Sequence, residues 1–232
     1  MIHINNLSKS YGKLQVLNQV SVTFGRGQVV SIIGPNGAGK TTLSKCLLGM
    51  VLPDSGEILI DGEPILKKWE YRSKIGYMPQ ISRFPENMKV RQVFNMMKDI
   101  RNKNSHLDEE LVGLYNLEAM GDKALGTLSG GNKQKVSAAL ACLFDPEILI
   151  LDEPTAGLDP LSAEILKAKI LKEKSKGKLI LITSHIMSEI EEVADDVLCL
   201  VDGSLRFYQS ISSIKSETGE ARLSKAIAKM MV

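Results

Sequence analysis

The chain has 232 residues and a formal net charge of +2, from 29 basic and 27 acidic side chains. Such balanced charge gives no electrostatic reason to expect a nucleic-acid partner, and 44% hydrophobic and 24% charged residues exclude a disordered composition. No window approaches the roughly 18 consecutive apolar residues of a membrane span, and no signal-peptide pattern begins the chain. We therefore expect a soluble cytoplasmic protein that serves a membrane only through a partner.

Residues 2–33 are predicted to form β-strands, because apolar residues alternate with polar breaks up to the apolar run 29–33. Tyr11 lies in a polar, turn-like stretch of this region. Its ring could stack on a nucleotide base, but local sequence alone favours an ordinary half-buried tyrosine.

Residues 34–42 read GPNGAGKTT and separate an apolar strand from a segment of helical period. This order predicts a loop that binds a nucleoside triphosphate, with backbone N–H groups turned inward and a helix N-terminus facing the phosphates. Lys40 is expected at the β- and γ-phosphates, the Thr41 hydroxyl on Mg²⁺, and Thr42 at the α-phosphate. The residues expected to contact the nucleotide here are Gly34, Pro35, Asn36, Gly37, Ala38, Gly39, Lys40, Thr41 and Thr42.

The middle of the chain changes character at residue 81. Before it, a turn at 53–56, a strand at 57–60, the hairpin signal Asp61-Gly62 and a strand at 74–78 are predicted. From 81 to 127 polar residues dominate, with helical periodicity at 90–100 and 107–117. We interpret this region as a mostly helical insertion whose methionines either fill its core or face a partner.

The C-terminal half alternates apolar strands with helices, which predicts a parallel sheet covered on both faces. The three cysteines are isolated in apolar stretches and are interpreted as core residues. The predicted elements are helices at 133–144, from 160 onward and at 187–194, strands at 147–151 and 178–183, a hairpin of 197–201 with 205–208, and a helical tail at 211–232.

Two further motifs carry chemistry. Asp152 and Glu153 follow a buried strand, at the end where open α/β sheets bind ligands, so Asp152 could hold Mg²⁺ and Glu153 could polarise a water. Ser129, Gly130 and Gly131 open a helix and could form a second anion site, a weak signal by itself.

Taken together, the motifs resemble those of the nucleotide-binding subunit of ATP-binding-cassette (ABC) transporters over nearly the whole chain. GPNGAGKT resembles the Walker A loop, ILILDE at 148–153 the Walker B strand and LSGGN at 128–132 the signature. Four single residues match further family motifs, namely Gln80 of the Q-loop, Asp159 of the D-loop, the switch histidine His185 and the adenine-stacking aromatic Tyr11. The resemblance thereby reverses the local interpretation of Tyr11.

The resemblance implies an α/β fold of the P-loop NTPase class. Its ABC ATPase core would contain a central, mostly parallel sheet and an antiparallel N-terminal β-subdomain, with an inserted α-helical subdomain. Residues 1–80 and 146–210 would form the core of this single domain, 81–145 the helical subdomain with the signature, and 211–232 a C-terminal tail.

The resemblance also assigns roles. Glu153 would orient the attacking water, His185 would sense the γ-phosphate, and Gln80 would link Mg²⁺ to the helical subdomain. Thr41, Gln80 and Asp152 would hold Mg²⁺ beside ATP. Ser129, Gly130, Gly131 and Asp159 would complete the nucleotide site of a second cassette packed head to tail. One departure is Asn132, where the commonest signature has glutamine.

The expected function is an ATP-hydrolysing subunit that powers a separate integral-membrane permease from the inner face of the cell membrane. General likeness suggests the ABC-2 export type, and within it the ATPase serving copper-site maturation of nitrous oxide reductase. A soluble ABC ATPase acting on DNA or ribosomes is the alternative. A regulatory cassette that does not hydrolyse ATP is disfavoured by intact Lys40, Asp152, Glu153 and His185.

Overall fold

The computed structural model describes residues 1–101 and 107–231. The strands are β1 (Ile2–Tyr11), β2 (Leu14–Phe24), β3 (Val29–Ile33), β4 (Ser55–Ile60), β5 (Glu63–Pro64), β6 (Ile75–Met78), β7 (Ile148–Asp152), β8 (Leu179–Thr183), β9 (Asp196–Val201) and β10 (Ser204–Ser210). The helices are α1 (Lys40–Leu47), α2 (Val90–Ile100), α3 (Glu110–Leu114), α4 (Gly130–Cys142), α5 (Pro160–Ser175), α6 (Met187–Val193), α7 (Ile211–Thr218) and α8 (Leu223–Met230).

The strands form two sheets. The smaller is antiparallel in the order β2-β1-β4-β5, and the larger has the order β10-β9-β3-β8-β7-β6. Every neighbouring pair in the larger sheet is parallel except β10 with β9. Strands β3, β7 and β8 are buried at every residue, as expected for parallel strands covered on both faces. The predicted combination of an antiparallel N-terminal sheet with a mostly parallel one is confirmed.

Strand β7 of the larger sheet has a different apolar core on each side, because successive side chains of a strand point to opposite faces. On β7, Ile148 and Ile150 pack with the N-terminal sheet and α1, whereas Leu149 and Leu151 pack with helices α2 to α5. The three cysteines are buried and unpaired, which confirms their interpretation as core residues. Within residues 1–101 and 107–231, no helix is long and apolar enough to cross a membrane.

Turn signals in the sequence predicted both hairpins correctly. Asp61 and Gly62 connect β4 to β5 with positive φ angles of 52° and 82°. Asp202 and Gly203 connect β9 to β10 with φ angles of 47° and 76°. Two consecutive left-handed residues match the right-handed twist of the flanking strands, which explains the Asp-Gly preference.

Helix bounds were predicted less well. Helix α2 has the predicted bounds, but α3 is shorter than the predicted 107–117, because Tyr115 ends it and Asn116 turns left-handed with a φ of 49°. Helix α4 begins at Gly130 rather than at 133, since the Ser129 side chain caps it by accepting a hydrogen bond from the Asn132 N–H. Helix α1 ends at Leu47, and Met50 beyond its end is 61% exposed.

Candidate active site

The loop of residues 34–39 connects β3 to α1 and requires glycine at its two ends. Gly34 and Gly39 have φ angles of 144° and 101°. A Cβ on Gly34 would lie 2.1 Å from the Leu200 carbonyl oxygen, and one on Gly39 would lie 2.5 Å from that of Val16. The close approach of neighbouring backbone therefore shapes the loop, and α1 begins at its end without a side-chain cap. Its first N–H groups are suited to a phosphate ligand.

Lys40 is held by the loop that it follows. Its Nζ donates hydrogen bonds to the carbonyl oxygens of Gly34 at 2.7 Å and Pro35 at 3.0 Å. Burial lowers the pKa of Lys40, and the carboxylates of Glu153 and Asp152 act in the opposite direction. A buried ammonium group in contact with a glycine loop is well placed to contact phosphate oxygens.

A single cleft brings together most of the residues predicted to act on ATP. Its position follows from the sheet, since β3, β8 and β7 are parallel neighbours whose carboxyl ends lie at one edge. The lining residues are Val16, Asn36, Gly37, Ala38, Gly39, Lys40, Thr41, Thr42, Gln80, Asp152, Glu153, Thr183 and His185.

The acidic pair at the end of β7 is anchored to β8. Asp152 is buried and its Oδ1 accepts a hydrogen bond from the Thr183 hydroxyl. The Glu153 N–H reaches both the carbonyl oxygen of Thr183 at 3.0 Å and its Oγ1 at 3.2 Å. Glu153 adopts a left-handed φ of 48°, and its Oε1 lies 3.2 Å from His185 Nε2. The structure thus places Glu153 and His185 side by side in the cleft.

Three oxygen-bearing side chains of the cleft form a suitable donor set for Mg²⁺. Thr41 offers a hydroxyl, Gln80 an amide carbonyl and Asp152 a carboxylate, and all three line the cleft. Mg²⁺ is a hard cation that prefers oxygen ligands and is usually bound through one or two carboxylates together with phosphates. The chemistry of these residues therefore fits the predicted ion.

The remaining predicted residues lie outside the lining of this cleft. Tyr11 is half exposed, with the Lys9 ammonium 5.7 Å from its ring centroid. Ser129 and Gly130 are exposed at the start of α4. Asp159 caps α5 by accepting hydrogen bonds from Ser162, and Lys135 lies 2.8 Å away. Those two partners, Lys135 foremost, lower the pKa of Asp159.

Sequence reasoning missed three residues that touch the acidic pair or line the cleft. Thr183 was assigned only to a strand, although a polar residue that ends an apolar run two positions before His185 was a usable signal. Gln134, a buried residue of α4, donates to the Glu153 carbonyl at 3.4 Å and accepts from Ser82 at 3.3 Å. Val16 gave no signal, because it lines the cleft through tertiary folding alone.

Comparison with known proteins agrees with this geometry. A family model described as ABC transporter matches residues 17–156. The chain is 36% identical over 225 residues to the Nod factor export ATP-binding protein I of Burkholderia lata, covering 94% of this chain and 74% of that protein. It is 37% identical over 210 residues to the lantibiotic transport ATP-binding protein SrtF of Streptococcus pyogenes, covering 88% and 89%. A solved structure described as the ATP binding subunit of an ABC transporter superposes with a TM-score of 0.92 at 28% identity, covering both chains completely.

Proposed function

The chain belongs to the ABC transporter family as an ATP-binding and ATP-hydrolysing subunit, and we propose that it powers a separate membrane-spanning permease as one half of an ATP-bound pair. The observation that carries the proposal is the single cleft that gathers Lys40, Asp152, Glu153 and His185 at the carboxyl edge of the parallel sheet. The names of the curated relatives, which refer to Nod factor export and lantibiotic transport, support the export type.

In the proposed reaction the chain positions ATP and an attacking water. The loop N–H groups and Lys40 neutralise the phosphates, which is the main electrostatic contribution expected in phosphoryl transfer. Glu153 accepts a hydrogen bond from the water, and His185, 3.2 Å from the Glu153 carboxylate, contacts the γ-phosphate side. Tyr11 stacks on the adenine. When bound by Thr41, Gln80 and Asp152, Mg²⁺ would neutralise charge on the phosphate oxygens.

The proposed pairing follows from where the signature lies. Ser129 and Gly130 are exposed at an uncovered helix start, and they do not line the cleft of their own chain. A helix N-terminus attracts anions, so this one is available to the nucleotide of a second cassette. Asp159 lies close to Lys135, a residue of the helix α4 that Ser129 and Gly130 begin, and it would face the interface with the second cassette.

We assign the permease to a groove beside Gln80. The groove is lined by the segment that follows β6, including Pro79 and Phe84, and by Phe144 beyond the end of α4. The Arg101 guanidinium packs 4.9 Å from the Phe144 ring centroid and donates hydrogen bonds to the Ser73 and Arg72 carbonyls. This groove separates the proposed core (1–80 and 146–210) from the proposed helical subdomain (81–145), so a permease seated there would contact both.

Co-purification from native membranes tests the proposed partnership. The wild-type chain should carry a multi-span protein with it, because the permease would hold it at the inner membrane face. Phe84→Asp should lose that protein yet still bind ATP, whereas Leu171→Asp, the same substitution at an exposed leucine of α5 outside the groove, should retain it. Recovery of the wild-type chain without any multi-span protein would contradict the transporter role, and equal recovery with both variants would exclude the groove. Identification of the partner would also decide whether the predicted copper-processing subfamily is correct.

A further inference from the structure

We propose that Thr183 is a positioning residue for the reaction: its hydroxyl holds Asp152 in the orientation that receives Mg²⁺ and fixes the backbone of Glu153. The proposal rests on the function proposed above, since it concerns the same cleft. It assigns to Thr183 a role that acts through its two neighbours rather than through direct chemistry on ATP.

The register of the sheet brings Thr183 to this position. Strand β8 lies between β3, which leads into the phosphate loop, and β7, which carries the acidic pair. Thr183 is paired with Asp152 on one side and with Ile32 on the other. It is therefore the residue of β8 that is level both with the start of the loop and with the carboxylates.

The Thr183 hydroxyl can donate only one hydrogen bond, which determines which of its two neighbours receives the proton. A threonine hydroxyl has one proton and can accept at its lone pairs. The Glu153 N–H points to Thr183 Oγ1 at 3.2 Å and to the Thr183 carbonyl at 3.0 Å, so the hydroxyl accepts there. Its own proton is then given to Asp152 Oδ1. Both threonine and aspartate are buried, so water competes little for these bonds.

The hydrogen bond from Thr183 fixes the orientation of the Asp152 carboxylate. With Oδ1 held by Thr183, Oδ2 is the oxygen left to approach a cation in the cleft. Threonine is β-branched and has few χ1 choices, which keeps the hydroxyl in place. Groups that orient a metal-binding carboxylate in this way typically contribute 10- to 100-fold to metal affinity or activity.

Nucleotide binding with and without metal separates this role from simple packing. ATP affinity would be measured by titration calorimetry in Mg²⁺ and in EDTA, in the Glu153→Gln background so that ATP is not consumed. Thr183→Val keeps the shape but removes the hydroxyl, and we expect it to weaken Mg²⁺-supported ATP binding by roughly 10-fold or more while leaving binding in EDTA unchanged. Thr183→Ser restores the hydroxyl and should restore the affinity. Thr183→Cys, with a weakly donating thiol, should lie between them.

A buried threonine elsewhere provides the matched control. The Thr218 hydroxyl donates to the Ile214 carbonyl in α7, whose residues do not line the cleft. Thr218→Val should therefore bind ATP like the parent chain in both conditions. Parent-like Mg²⁺-supported binding in Thr183→Val would overturn the proposal, as would equal losses in Mg²⁺ and EDTA. A serine variant as weak as the valine variant would also overturn it, and if valine prevents folding the cysteine and serine variants decide. Absence of Mg²⁺-dependent ATP binding in the parent itself would instead count against the proposed function.

Discussion

The buried ion network around Lys169 gives a stability prediction that can be worked from the structure. Lys169 on α5 is 2% exposed, and its Nζ lies 2.5 Å from Asp108, 2.7 Å from Glu110 and 3.0 Å from Glu173. Lys169→Met keeps an unbranched side chain but removes the charge. It removes the ammonium group that Glu173, which is 1% exposed, shares with the half-buried Asp108.

The stability lost in Lys169→Met depends on which ion pairs remain around Glu173. Removing one member of a buried ion pair typically costs about 3–5 kcal/mol. Glu173 would still contact Lys176 at 2.7 Å and Lys178, so the lower end of about 3 kcal/mol is expected. For a chain of this size that corresponds to a fall in Tm of roughly 6–12 °C.

Lys172→Met provides the control on the same helix. Lys172 bonds the same Glu110 at 2.7 Å but is 53% exposed, so its loss should cost only about 0–1 kcal/mol. Urea unfolding followed by circular dichroism should show a lower midpoint for Lys169→Met with an unchanged m-value. Equal midpoints for the two variants would refute the view that burial makes the Lys169 network important.

Three further predictions concern catalysis and acid stability. Glu153→Gln should retain ATP binding and lose turnover by roughly 10²–10⁴-fold, because an amide is a poor proton acceptor; near wild-type single-turnover hydrolysis would exclude the assigned role. Lys40→Ala should weaken ATP binding as well as hydrolysis, because its charge faces the phosphates in both states; unchanged ATP affinity by calorimetry would contradict this. Burial raises the pKa of Glu173, but its lysine partners outweigh burial and bring it from 4.5 to about 2. A carboxylate whose pKa is lowered by folding stabilises the protein fully at a pH above its pKa in the unfolded chain, and this stabilisation is lost as the pH falls to its pKa in the folded chain. The urea midpoint should therefore fall as the pH is lowered from 4.5 to 2. A midpoint that stays constant over that range would contradict the ion network.

Much of the fold could be predicted because local signals agreed with the tertiary structure. The apolar runs that became β3, β7 and β8 are buried strands, and Asp61-Gly62 and Asp202-Gly203 form the expected turns. Helix ends were harder, since side-chain caps and single left-handed residues decide them. Because Ser129 caps α4, that helix begins at Gly130 rather than at the predicted residue 133. Because Asn116 is left-handed, α3 ends before the predicted residue 117.

Most of the residues predicted to act on ATP line one cleft, but the contacts that support them were not predicted. The position after a buried strand indicated Asp152 and Glu153, the resemblance to ABC cassettes indicated His185, and the structure brings all three into one cleft. Gln134 touches the acidic pair through helix packing, which a single sequence does not encode as a pattern, whereas the place of Thr183 at the end of an apolar run was a usable signal. Their contribution depends on which elements become neighbours in space.

We propose that catalysis uses the cleft of one chain together with the signature of another. Ser129 also caps α4, so Ser129→Ala is included to measure loss of the cap alone, about 0.5–2 kcal/mol of stability. Lys40→Ala and Ser129→Arg chains, each inactive alone, would be mixed with the permease present. A mixed pair holds one composite site with an intact Lys40 and an intact Ser129.

Steady-state ATPase activity of this mixture is the most direct measurement. The proposed pairing predicts partial recovery of activity on mixing, rising with the fraction of mixed pairs. Full activity in a Ser129→Arg chain that light scattering shows to be monomeric would contradict it, because one chain would then suffice for catalysis.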